Sequence, residues 1–284
     1  MGMLSGLSGM GLGGLENVDI FAEEEAKEEV KEEVKAKAPA APQVEEKDIV
    51  FDRKYTCPVC GEEFTSKAVR ANRAKLLGTD VDLRARYDVI DPGKYDVILC
   101  HNCGYAALSR FFAQIAQPQA KLIKEKISAS VKMTEYNDPF YTYKEALERY
   151  QLALVNSVVK KSRASEKAYI CLKSGWIARG YRESLQESGS NDSQLIGQLE
   201  KQENEFLQNA YKGFTEAIQN EEFPMCGMDE VTVNYLMAAL AARFQKYDVA
   251  SRMVTMVLTS NAANARMKDK ARDLKEQILK DMKK

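Results

Sequence analysis

The sequence predicts a mainly α protein, an irregular helical-hairpin domain preceded by a small β module built on cysteines. Three observations carry this reading. Four of the six cysteines form two matched pairs, Cys57-Pro58-Val59-Cys60-Gly61 and Cys100-His101-Asn102-Cys103-Gly104. From residue 111 onward the apolar residues recur with helical period. Within that stretch a small–large–small spacing recurs, once per candidate helix pair.

Residues 1–15 are rich in Gly, Leu, Met and Ser, and residues 16–48 hold twelve acidic residues against five lysines, a net of −7. The run EEEAKEEVKEEVKAKA has Glu-to-Lys pairs four apart, which favour a transient single helix. Its apolar face is limited to Val30 and Val34, so it packs no core. Residues 1–48 therefore read as a Leu/Gly segment on a flexible acidic tether. The apolar residues Leu4, Leu7, Leu12, Leu15, Ile20 and Phe21 make residues 1–22 either a disordered tail or a docking segment. In the second case they bind a partner groove, the protein's own helices, or a second copy in self-association.

Residues 49–110 read as the cysteine module. RKYTC (53–57) leads into the first pair and Glu62–Val69 leaves it with loose alternation. Asp91-Pro92-Gly93 is a turn signal, and Tyr95–Cys100 is rich in strand-forming residues. Strand, cysteine turn, strand, twice over, is the pattern of a zinc ribbon. The 39 residues between the pairs exceed a minimal ribbon and contain Ala71–Leu77 and Asp80–Tyr87, read as a short helix or an excursion loop.

Candidate helices follow at 118–133, 141–160, 165–186, 193–220, 229–244, 247–259 and 263–282. Ala146-x3-Tyr150-x2-Ala153 fits the second helix of a tetratricopeptide repeat (TPR). Ala210-x3-Phe214-x2-Ala217 repeats it, and Ala250-x3-Val254-x2-Val257 is a degraded third copy with Ala238 twelve residues ahead. Small residues let two helices approach, and the large one fills the groove between pairs. The copies are 64 and 40 residues apart, so the domain, 111–284, is TPR-like but irregular. Ser184–Ser193 reads as the loop that absorbs the excess. The alternative is an ordinary helical bundle in which amphipathicity produces the same spacing.

Two CxxC pairs, each trailed by Gly, point to one tetrahedral site of four thiolates, Cys57, Cys60, Cys100 and Cys103. Two intervening residues let both sulfurs face one ion, and Gly permits the tight left-handed turn behind them. The expected cofactor is one structural zinc ion. Four thiolates leave no position for a catalytic water. A redox pair would open a helix after a strand in a thioredoxin-like setting, which is absent here, and iron is the other metal such a set takes. His101, the only histidine, sits within the second pair and reads as a solvent-facing residue.

Composition narrows the function classes. Six cysteines in 284 residues do not make a secreted disulfide framework. No stretch of eighteen apolar residues exists, so no membrane span is expected. Residues 1–15 lack a secretory pattern, and Gly6 breaks a myristoylation motif. A cytoplasmic location is the expectation. Gly9 to Gly14 satisfy GxGxxG without the strand or βαβ unit that would make it a dinucleotide site. Arg70, Arg73, Lys75, Arg84 and Arg86 cluster in the insertion, and Arg70 and Arg73 are the nucleic-acid candidates. Asp80, Asp82 and Asp88 interrupt them, aromatic residues are sparse, and residues 49–110 carry only +2, which argues for a solvated face instead. Cys226, in CGMDE after Pro224, lies at the start of a candidate helix whose positive end would lower its pKa; burial would make it inert.

With CPVCG, YDVILCHNCGYAAL, PMCGMDEVTVNYLMAALAARFQKYDVA and ARDLKEQI in this order behind a Leu/Gly-rich start, the chain resembles an uncharacterised bacterial family, a domain of unknown function. That family pairs a zinc ribbon with TPR-like helices. The resemblance implies a bacterial cytoplasmic protein with a four-cysteine metal site at Cys57, Cys60, Cys100 and Cys103, and no activity to borrow. The acidic run is longer than the family pattern.

The leading functional reading is a non-enzymatic zinc-binding scaffold whose helical groove takes a protein or peptide partner, with no catalytic residue assigned. The alternatives are a nucleic-acid-associated regulator acting through the ribbon and an enzyme with its site between ribbon and helices.

Overall fold

The computed structural model describes residues 45–70, 73–132, 138–190 and 192–283, together with Gly9 and Gly11. The fold is mainly α, with eight α-helices and three small antiparallel strand pairs among these residues. The expected Leu/Gly segment and acidic run, up to residue 44, otherwise lie outside the described residues.

A single helical turn, α1 (Glu46–Ile49), leads into β1 (Val50–Thr56), which pairs with β2 (Glu63–Val69) from Val50↔Val69 to Thr56↔Glu63. The first cysteine pair is the tip of this hairpin. β5 (Val97–Leu99) pairs with β6 (Ala106–Leu108), with Leu99 opposite Ala106, and the second cysteine pair is its tip. A 3-10 turn, Pro92–Tyr95, feeds β5; the Asp91 side chain caps it by accepting from Gly93 N at 2.9 Å. The insertion differs from expectation: it forms a third hairpin, β3 (Leu76–Thr79) with β4 (Ala85–Tyr87), rather than a helix or a plain loop. Asp80, Val81 and Asp82 make its turn, closed by Asp80 N donating to Arg84 O and Leu83 N to Asp80 O.

α2 (Gln117–Ile123) is shorter than the predicted segment and passes into a π-helical turn, Lys124–Ser128. Then follow α3 (Tyr143–Val159), α4 (Ala164–Glu187), α5 (Ser193–Asn220), α6 (Glu230–Arg243), α7 (Tyr247–Thr259) and α8 (Ala265–Asp281). Four of these start on an oxygen-bearing side chain that accepts an orphan N–H: Thr142, Asp192, Asp229 and Asn264. α3 and α6 end on left-handed residues, Lys161 and Gln245, each in a Schellman pattern without glycine. α4 runs on to Glu187, so the excess between the first two copies of the repeat spacing lies in long helices. At 24 and 28 residues, α4 and α5 are about 36 and 42 Å long.

α4 packs along α5, α6 along α7, and α7 on α8. Every residue of the three predicted spacings is buried. The second and third copies fall on the second helix of a hairpin, α5 and α7. The first does not: α3 packs against β5, β6 and α4, so a strand pair takes the place of the earlier helix. α6 is apolar almost all round and is buried almost all round. One continuous core joins Cys57, Val59 and the β5–β6 hairpin to Ile278 of α8.

Candidate metal centre

Both cysteine turns are built the same way. In the first, Cys57 N donates to Glu62 O at 2.8 Å and Gly61 N to Cys57 O at 2.9 Å; in the second, Cys100 N donates to Tyr105 O and Gly104 N to Cys100 O, both at 2.9 Å. Gly61 and Gly104 both have positive φ, +82° and +71°. Gly104 has a second reason to be glycine, since a Cβ there would stand 2.7 Å from a Val131 methyl. This repeated turn aims each pair of sulfurs off one hairpin tip.

The tips face each other. Cys57 Sγ lies 3.6 Å from Cys103 Sγ, Cys60 Sγ lies 3.6 Å from Cys100 Sγ, and all four fall within 4.8 Å of one another. A tetrahedron with Zn–S of about 2.3 Å has edges of about 3.8 Å, so this cluster fits one thiolate-bound ion. It is the one such group of His, Cys, Asp and Glu among the described residues, and His101 is not part of it. Cys57, Cys100 and Cys103 are buried and Cys60 is half-buried. Asn102 Nδ2 donates across the tips to Cys60 Sγ at 3.6 Å. Hydrogen bonds from Cys100 and then Cys103 push the Cys57 thiol down to about 4, while Cys103, on the other side of that sharing, is pushed up.

The surroundings hold the tips in place. Phe112 packs against Tyr55, Phe64 and Tyr105, with ring centroids 5.1 to 6.1 Å apart, so one ring ties the first hairpin to the second. Tyr105 Oη donates to Phe112 O at 3.1 Å. Asn156 of α3 donates to Gly104 O at 3.1 Å, and Ser128 Oγ to Cys103 O at 2.8 Å. The second tip is thus gripped by α3 on one side and the π-helical turn on the other.

Residues 50–278 match the model of a family described as an uncharacterized protein conserved in bacteria (DUF2225). The chain belongs to that family. The DUF2225 match begins at the first residue of β1 and runs into α8, so it takes in both cysteine tips and the helices that follow them. No curated protein and no solved structure matches the chain.

The other sequence candidates fall differently. Arg70 is exposed, its guanidinium 5.4 Å from the Phe51 ring, and Arg73 is exposed. Arg84 and Arg86 do not join them on a basic surface. Arg84 is buried and donates to Glu183 at 2.8 Å and Asp91 at 3.4 Å; Arg86 binds Glu183 at 2.5 Å and Asp80 at 2.6 Å. Gly180 of α4 makes room, since a Cβ there would sit 2.6 Å from Arg84 Nη2. Cys226 lies in a tight turn before α6, bridged by Met225 and Met228, and its Sγ donates to Ser165 O at 3.3 Å. Burial pushes this thiol up to about 12 and raises the Cys171 thiol as well, which makes both inert.

Sequence reasoning missed the ionic network that docks the β3–β4 hairpin on the helices. Arg179 of α4, 8% exposed, binds Asp82 at 2.5 Å, Asp80 at 2.8 Å and Glu203 at 2.8 Å. Glu203 of α5, fully buried, also takes Arg182 and Arg243, each at 3.0 Å. Burial would raise the Asp82 carboxyl, but the Arg179 charge outweighs it and holds Asp82 below the usual range. Glu183 is lowered in the same way, with the Arg86 and Arg84 bonds overcoming burial. The partners lie up to 99 residues apart, so no local pattern announces them. The one available signal was a charge set within an apolar helical face, at Arg179 and Glu203.

Proposed function

We propose that Cys57, Cys60, Cys100 and Cys103 hold one structural zinc ion and that this zinc-stapled helical chain is a non-enzymatic scaffold for a protein partner. The observation that carries the reading is the cluster of four sulfurs on two facing hairpin tips. Soft thiolates in a tetrahedral set suit zinc, which when bound supplies a crosslink between the tips. The set is closed, so no ligand position remains for a substrate.

In this reading residues 49–110 are the zinc ribbon, residues 111–284 are TPR-like helical hairpins, and the protein works in a reducing cytoplasm. The burial of Ala210, Phe214, Ala217, Ala250, Val254 and Val257 at hairpin contacts supports the repeat-like packing. The pairing of Arg84 and Arg86 with carboxylates supports a protein partner over a nucleic acid, because it removes two cations from the basic cluster.

The test is partner capture by crosslinking on intact protein and on Cys57→Ser/Cys60→Ser, with metal content measured on both. One zinc per intact chain, none in the variant, and a defined protein retained by the intact form would support the proposal. Stoichiometric iron would overturn the zinc assignment. Recovery of nucleic acid lost with rising salt would move the function to the ribbon.

A further inference from the structure

Gly11 lies against a distant part of its own chain. A Cβ built on it would stand 2.5 Å from Ser130 O and 3.4 Å from Lys132 Cγ, and its φ is +74°. No side chain fits that approach without displacing backbone. Gly9, two residues earlier, has nothing within 4 Å of such an atom. Of the two described glycines, Gly11 is the one that makes this approach.

The stretch that receives it is anchored from behind. Val131 packs on Gly104 of the second cysteine tip, and Ser128 binds the carbonyl of Cys103. Charge favours the same docking. Lys121, Lys124, Lys126 and Lys132 are exposed in the stretch 121–132, where Glu125 is the one acidic residue in sequence, while residues 23–33 of the connecting chain carry seven glutamates and two lysines. Leu4, Leu7, Leu12 and Leu15 flank the contact point in sequence.

We propose that the Leu/Gly segment, residues 1–15, is an internal ligand of this chain. It docks through Gly11 on the Ser128–Lys132 stretch behind the second cysteine tip. The chain between Gly11 and Glu45 is long enough to span roughly 100 Å, so it imposes no strain on the contact. A tether of this length gives a local concentration on the order of millimolar, which favours the chain's own segment over a second copy's. The proposal does not depend on the identity of the metal or on the scaffold reading.

The test follows backbone amide shifts of residues 128–132 by NMR in the metal-loaded protein. Wild type is compared with Gly11→Val, Gly9→Ala and a form lacking residues 1–22. Gly11→Val is expected to move these amides to the positions of the truncated form, and Gly9→Ala to leave them at wild type. Amides of α5 to α8 should stay in place in all four, which reports folding. A peptide of residues 1–15 added to the truncated form should restore the wild-type shifts, and its Gly11→Val version should bind at least tenfold more weakly. Identical shifts in full and truncated chains would overturn the proposal. So would shifts that depend on protein concentration, which would assign the site to the segment of a second copy.

Discussion

Gly104 and Gly61 occupy equivalent turns but meet different neighbours. Both are left-handed, which costs an L-residue roughly 1–2 kcal/mol. Only Gly104 also faces a side chain, Val131 at 2.7 Å from the would-be Cβ, while Gly61 faces open space. Gly104→Ala should therefore destabilise the metal-loaded protein more than Gly61→Ala, by an extra ~1 kcal/mol. Equal losses in paired thermal melts would show that Val131 yields freely. Glu203 presents the opposite case, a buried group with three cationic partners. Glu203→Ala leaves the Arg179 charge buried with a partner missing, and breaking a buried pair in this way costs about 3–5 kcal/mol. Denaturant unfolding measures it, and a loss below 1 kcal/mol would mean that Arg179 is satisfied by Asp80 and Asp82 alone.

Four of the helices, α3, α5, α6 and α8, announce where they start. Asp229 and Asn264 accept from the third residue beyond them, and removing such a cap costs about 1 kcal/mol. Asn264→Ala should raise hydrogen exchange in the first turn of α8 while sparing α4 and α5, because α8 packs at the end of the array on α6 and α7. Uniform loss of protection across all helices would show that α8 is needed for the whole core. At this scale the periodicity was readable: the predicted 193–220 and 247–259 coincide with α5 and α7. The third hairpin was not readable. Leu76–Thr79 and Ala85–Tyr87 are too short and too mixed to show strand alternation, and ion pairs to α4 hold them.

Across the molecule, acid acts on the ionic network and on the thiolates. Asp82 and Glu183 have folded-state pKa values below the ordinary 3.8 and 4.5. A depressed carboxylate contributes stability that is complete above its unfolded pKa and is lost as pH falls through the folded value. Stability should therefore fall as pH drops below about 4, and Asp82→Asn should flatten that arm of the curve. Metal release, which protonation of thiolates drives, is separated from this by repeating the titration on Cys57→Ser/Cys60→Ser. Chelation at neutral pH should free the two tips while the α4–α5 and α6–α7 pairs keep their helical signal. Loss of most far-ultraviolet helical signal on chelation would instead make the metal essential to the entire fold.

The local chemistry of the chain was enough for the cysteine tips, the long helices and the family resemblance. CxxCG turns and helical periods are written within a few residues, where backbone sterics and side-chain spacing act directly. The three-dimensional packing assigned the charges. Arg84 and Arg86 looked like surface cations because they follow Arg70, Arg73 and Lys75 in the same insertion, and Asp80 and Asp82 looked like interruptions of a basic face. In the folded chain Arg84, Arg86, Asp80 and Asp82 are internal partners of Glu183 and Arg179, brought together when β3–β4 lies on α4. Coulomb energy depends on distance in space, and a separation of nearly a hundred residues hides it from any local reading.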